Sequence, residues 1–295
     1  NSELKGILLE ETPWVMEAKN ETEQKQRLRL LFDMNRAGDL KCKVFGKLQE
    51  TQQEDGGWGW MPGMRSSRDM TLQVLDVMAR LVDLHAVEFT EAEKRMQFDA
   101  LAYVDHSIQK EYEWEMAHMS LGSIPSEGKL YALLVRSYYR DVPETGKSHE
   151  AYKYYENKAA AHWNDYGLPG RAMIAKLMVR NGNRKLAGTI LDWFKRTATV
   201  DSEKGMYWAN NRSYFAGSHG PLETHCVIMS LFADMQPDAR LMNQMKQWLI
   251  GQKRTQNWES TGASIDAVHA LLSTGGDWLG TDNHCRIDWD GRTWS

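Results

Sequence analysis

Glu223, His225 and Cys226 place a carboxylate, an imidazole and a thiol within four residues of one another, and these are the groups from which zinc sites are assembled. His269 is a further candidate ligand on a later segment. Adjacent residues on a helix point about 100° apart, so His225 and Cys226 turn away from a common ion. The other reading of the cluster needs no metal: a Glu in the first turn of a helix complements its dipole, and the Cys serves as a small core residue. Carboxylates offer a second chemistry. Asp69, Glu223 and Asp266 each fall near the expected start of an apolar helix, where they could surround one mouth and flank a glycosidic bond, or serve as ordinary dipole and capping residues. The expectation is no metal, no cofactor and no catalytic residue.

Aromatic residues carry the strongest local signal. Trp, at 12, outnumbers Phe, at 7, and several indoles sit in polar or Gly-rich turns. Trp58 and Trp60 lie in DGGWGW, Tyr207 and Trp208 in GMYWANN, and Trp258 after QWLIGQKRTQN. An indole so placed can cover the start of the next helix while its N–H reaches a carbonyl at the end of the preceding one, closing a helical hairpin. An aromatic ligand platform is the alternative. These five residues, with Glu223 and His225, are the candidate binding residues. Ser66 or Ser67, and Ser260 or Thr261, are placed to cap the helices that follow.

The elements around these turns alternate in kind. Residues 41–52 carry one apolar stripe, Val44, Phe45 and Leu48, the profile of a helix with one face on a core. Residues 67–84 carry two stripes, with a narrow polar line of Gln73, Asp76, Arg80 and Asp83 between them, the profile of a helix buried on two sides. The same order recurs at 93–116 then 127–139, 149–163 then 168–180, 184–198 then 221–235, and 239–252 then 260–272. Trp208 and Trp258 are 50 residues apart and Trp58 and Trp208 150, so the turns repeat at a period of about 50 residues. Wet and dry helices in alternation are satisfied by two concentric rings, an (α/α) toroid of about six hairpins over residues 1–275. An open solenoid would leave its end pairs exposed. Five pairs and a lone helix near 21–35 are countable, so the missing partner is expected on the amino-terminal side. Residues 276–295, ending in RIDWDGRTWS, read as an extended segment leading into a further domain.

Composition agrees with an all-α chain. Leu and Met outnumber Val and Ile two to one, and the 295 residues include only 7 Pro, a balance that favours helix over strand. A net charge of -4 and no Lys/Arg stripe remove the electrostatic footprint of a nucleic-acid binder. Mean hydropathy is -0.59 and no apolar run approaches a membrane span. Three cysteines, without a CxxC pair, indicate neither a disulfide framework nor a zinc ribbon.

Four segments, taken in order, resemble one family. LLEETPWVMEAKNETEQKQRLRLLFDMNR (Leu8 to Arg36), DGGWGWMPGMRSSRDMTLQVLD (Asp55 to Asp76), GMYWANNRSYFAGSHGPLETHCVIMSLF (Gly205 to Phe232) and MKQWLIGQKRTQNWESTGASIDAVHALL (Met245 to Leu272) resemble the thioester-containing domain of bacterial alpha-2-macroglobulins of the Bacteroidetes type. The resemblance implies a helical toroid inside a large lipoprotein of the periplasm or cell envelope that traps attacking proteases. Its partners would be those proteases and the other domains of the same chain. Covalent trapping in that family needs a Cys-x-Glu-Gln thioester. Here Cys42 is followed by Lys43-Val44-Phe45, Cys226 by Val227-Ile228-Met229 and Cys285 by Arg286-Ile287-Asp288, so no thioester forms within these residues. The family places that motif upstream of the first matching segment, hence before Asn1, and some bacterial members lack it. The expectation is a non-enzymatic module of protease inhibition and defence. A toroid glycosidase or lyase, and a non-covalent protein-binding scaffold, are the rival readings; the Asp-x-Asp-Asp cluster of terpene cyclases is absent.

Overall fold

The computed structural model describes residues 34–118, 124–211, 220–255, 260–274, 287–289 and 292–294. The fold is all-α. In chain order the described helices are α1 (Met34–Thr51), α2 (Arg68–Asp83), α3 (Glu91–Ala117), α4 (Glu127–Arg136), α5 (Ser148–Ala161), α6 (Leu168–Arg180), α7 (Arg184–Thr197), α8 (Pro221–Met235), α9 (Ala239–Thr255) and α10 (Thr261–Ser273). Short 3-10 turns follow α4 and α5. β1 (Thr199–Asp201) pairs antiparallel with β2 (Gly205–Tyr207), and β3 (Ile287–Trp289) with β4 (Arg292–Trp294).

Local chemistry sets these boundaries. Ser67, Ser126, Asn183 and Ser260 each accept a backbone N–H of the first turn they precede, which satisfies donors that have no intrahelical partner. Thr90 and Glu93 cap α3 reciprocally. Of the two pairs of cap candidates, Ser67 and Ser260 take the role, while Ser66 donates to Asp55 Oδ1 at 2.5 Å. Pro169 and Pro221 occupy the first turns of α6 and α8, where a missing N–H costs nothing.

Two expectations need correction. The helix expected over 41–52 is described from Met34 to Thr51; it takes in the end of the expected lone helix near 21–35, whose other residues lie outside those described. Its apolar stripe is also narrower than expected. Phe45 is buried and meets Phe89 edge-on at 5.4 Å, whereas Val44, one residue round the helix, is exposed. The β1–β2 hairpin is an addition to the expected elements; Asp201 Oδ1 accepts both Glu203 N and Lys204 N at 2.8 Å and makes its turn.

The even-numbered helices pack on one another: α2 on α4, α4 on α6, α6 on α8, α8 on α10, and α10 back on α2. Leu75, Leu133, Ile174, Met229 and Ala267, one from each, are fully or almost fully buried, and burying a side chain of Leu size stabilises by about 1.5–3 kcal/mol. The odd-numbered helices lie against them, α3 on α2, α5 on α4, α7 on α6 and α9 on α8. Tyr side chains reach inward from the odd set. Tyr152 on α5 donates to Asp105 on α3 at 2.8 Å, and Asp105 also accepts Arg136 Nε at 3.0 Å and Thr145 N at 2.9 Å. Arg136 completes the knot by donating to the carbonyls of Tyr139 and Val142 at 2.6 and 2.9 Å, which fixes the loop between α4 and α5.

Candidate functional site

The aromatic turns are built alike. Trp58 is 3% exposed and its Nε1 donates to Leu48 O, in the last turn of α1, at 2.8 Å. Trp208 is 4% exposed and its Nε1 donates to Phe194 O, in the last turn of α7, at 3.1 Å. Each turn then abuts the next odd-numbered helix through a glycine in the left-handed region. Gly56 has φ +87° and a Cβ there would lie 2.2 Å from Asp99 O of α3; Gly205 has φ +80° and a Cβ there would lie 2.1 Å from Gln244 O of α9.

The remaining aromatic candidates divide. Tyr207 is half-buried on β2 and stacks nearly parallel on Trp248 at 6.3 Å. Trp60, expected to share the role of Trp58, instead stands 59% exposed beside the exposed Met61 and Met64. The bridge between Trp58 and Ser67 decides this. Trp58 is held inward by its N–H on Thr71 Oγ1 at 3.0 Å and by Ser67 N on its carbonyl at 2.8 Å. Trp60 follows Gly59, where a Cβ would lie 2.7 Å from Met64 O, so the loop folds tightly beneath it and turns it outward. Trp258 lies outside the described residues.

Glu223 and His225 share α8 but not a site. Glu223, in the first turn, accepts the Ser260 hydroxyl at 3.4 Å. His225 is fully buried, tilts against Trp248 at 4.3 Å and Trp208 at 5.7 Å, and donates Nε2–H to Met245 O at 3.1 Å. Burial holds its imidazole down at about 4, against the backbone hydrogen bond, so it is neutral at physiological pH. Cys226 points elsewhere, into a small cavity at the centre of the even-numbered helices. Among the described residues no group of three or more His, Cys, Asp and Glu side chains is arranged to hold a metal ion.

That central cavity gathers charges that patterning did not single out together. Arg80 sits between two carboxylates: it forks onto Asp76 of its own helix, at 3.1 and 2.6 Å, and reaches Asp266 on α10. Tyr131 from α4 donates to Asp76 at 3.1 Å. Lys176 from α6 donates to Ser230 and Asp234 of α8 at 2.6 and 2.5 Å. His269 completes the lining, with Nε2 3.6 Å from Asp83. The signal was a charged residue inside an otherwise apolar helix, as Lys176 is in RAMIAKLMVR and Asp266 in ASIDAVHALL. A Cys, a His and an Asp therefore meet here, but not as a nucleophilic set. Burial pushes the Cys226 thiol well up and holds His269 down at about 4, so no thiolate–imidazolium pair forms. The cavity measures about 30 Å³, room for a water molecule or two and none for a sugar ring.

An open cleft of about 600 Å³ lies between α4 and α5, lined by Arg136, Arg140, Glu144, His149 and Glu156 among others. Each guanidinium nitrogen of Arg136 is engaged, by Asp105 and two carbonyls, Arg140 donates to Asn181, and His149 pairs with Glu144 at 2.8 Å.

Comparison with known protein families finds none that matches the chain. Comparison with curated proteins likewise finds no match.

Proposed function

We propose that the chain is an (α/α) toroid of the bacterial alpha-2-macroglobulin type, a non-enzymatic module of protease capture in the cell envelope, in a lipoprotein-anchored parent. The observation that carries the architecture is the return of α10 to α2 through Arg80 and Asp266, which lie 186 residues apart. A solenoid would leave those two helices at opposite ends. Five even-numbered helices closed on one another, with four odd-numbered ones lying against them, favour concentric rings. The family and its role rest on the four sequence segments. Their indole-locked turns at Trp58 and Trp208, and the first-turn Glu223, serve as framework in this reading.

A central cavity too small for a sugar ring favours a module without turnover. Of the three carboxylates that could have flanked a glycosidic bond, Asp266 is buried on Arg80, Glu223 accepts Ser260 and Asp69 stands in solvent. A non-covalent protein-binding scaffold is the second reading, favoured by the outward Trp60, Met61 and Met64, since Trp and Met concentrate where proteins meet. Size-exclusion chromatography of the full-length protein after exposure to an endopeptidase tests the proposal. Protease activity should move into the high-mass fraction; protease eluting free would refute it.

A further inference from the structure

Four of the five contacts between even-numbered helices join neighbours in the alternation, and the fifth, α10 on α2, joins the first to the last. Polar groups bridge this fifth contact. Arg80 reaches Asp266 across it, and His269 approaches Asp83. The guanidinium is divided unequally. Asp76 takes two of its nitrogens and the Tyr131 hydroxyl as well, whereas Asp266 has Arg80 as its one hydrogen-bond donor among the described residues. One buried cation thus faces two buried carboxylates, and an unpaired buried charge is costly.

We propose that the α2–α10 contact is a proton-operated clasp, in which Asp266 holds a proton when the ring is closed and its ionisation loosens α10 from α2. The inference goes beyond the proposed function and stands without it. Groups on every packed element act on Asp266. Arg80 and Asp76 face it from α2, Cys226 and Glu223 from α8, and Tyr131 stands behind Asp76 on α4, with His269 one turn along α10 and Lys176 acting on that histidine from α6. Burial pushes the Asp266 carboxyl up to about 7; Arg80 opposes the shift, and Asp76 and Glu223 add to it. Since this value lies above that of an unfolded aspartate, about 3.9, the closed contact binds the proton more tightly than the open one. Closure is therefore favoured at low pH and weakens as pH rises through about 7. His269 and His225, both held at about 4, stay neutral over that window.

Amide hydrogen exchange of the whole chain at pH 6 and pH 8, corrected for the intrinsic rate, reads the clasp directly. Protection of α10 should fall about tenfold relative to α6, the factor expected for one carboxyl crossing pH 7. Asp266→Asn, a neutral isostere, should hold α10 at its pH 6 protection at both values. Equal changes in α6 and α10, or a tenfold fall that persists in Asp266→Asn, would overturn the proposal. Should that variant not fold, carbon-13 labelling of aspartate carboxyls in the unaltered protein decides: one carboxyl titrating between pH 6 and 8 is expected, and none would overturn it.

Discussion

Trp58 and Trp208 stand 150 residues apart and donate their indole N–H to the same place, the carbonyl three residues before the end of the preceding helix, Leu48 in one case and Phe194 in the other. The same lock between an odd-numbered helix and the next even-numbered one is thus made twice. Neither indole is left accessible to a ligand.

Trp58→Phe and Trp208→Phe should each lower stability by about 1–2 kcal/mol, from the lost hydrogen bond and the smaller ring. Trp60→Phe should change it by less than about 0.5 kcal/mol, as an exposed position does. Urea unfolding of the three variants separates the inward indoles from the outward one.

Alanine at Gly56 should destabilise more than alanine at Gly63. Both have positive φ, but a Cβ at Gly56 meets Asp99 O at 2.2 Å and one at Gly63 meets nothing within 4 Å. Backbone strain of about 1–3 kcal/mol applies to both; the clash adds to it only at Gly56. Thermal melts order the two.

Asp105→Ala should cost about 3–5 kcal/mol, because it leaves Arg136 buried without its carboxylate. A double-mutant cycle with Tyr152→Phe should give strong coupling, since both Tyr152 and Arg136 bond Asp105 Oδ1. Additive losses would show that the knot is not shared.

His225 should impose an acid limit. Its folded value of about 4 lies below that of an unfolded histidine, about 6.5. The unfolded chain therefore binds the proton first, and the stability His225 contributes above pH 6.5 is lost as pH falls toward 4. Between those values His225→Gln should reduce the slope of stability against pH by on the order of 1.4 kcal/mol per unit. Denaturant titrations at several pH values measure the slope, and an unchanged slope would mean that His225 is already protonated in the fold.

The alternation of one-sided and two-sided helices was legible because it is a matter of apolar spacing, and helices stand close to where 93–116, 168–180 and 221–235 were expected. The central charges were not. Asp76 and Arg80 at i and i+4 look the same on a surface helix, and nothing local tells Arg80 that Asp266 waits 186 residues away. Trp58 and Trp60 were equally opaque: both follow glycine in one hexapeptide, and only the bridge between Trp58 and Ser67, a tertiary feature, decides which turns inward.

Capture of a protease is the central claim, and its signature is a ratio of two rates. An endopeptidase mixed with the full-length protein should keep its rate on a small peptide substrate while losing most of its rate on a protein substrate. The reference is the same protease alone, and undiminished digestion of the protein substrate at saturating amounts of the protein would contradict the account.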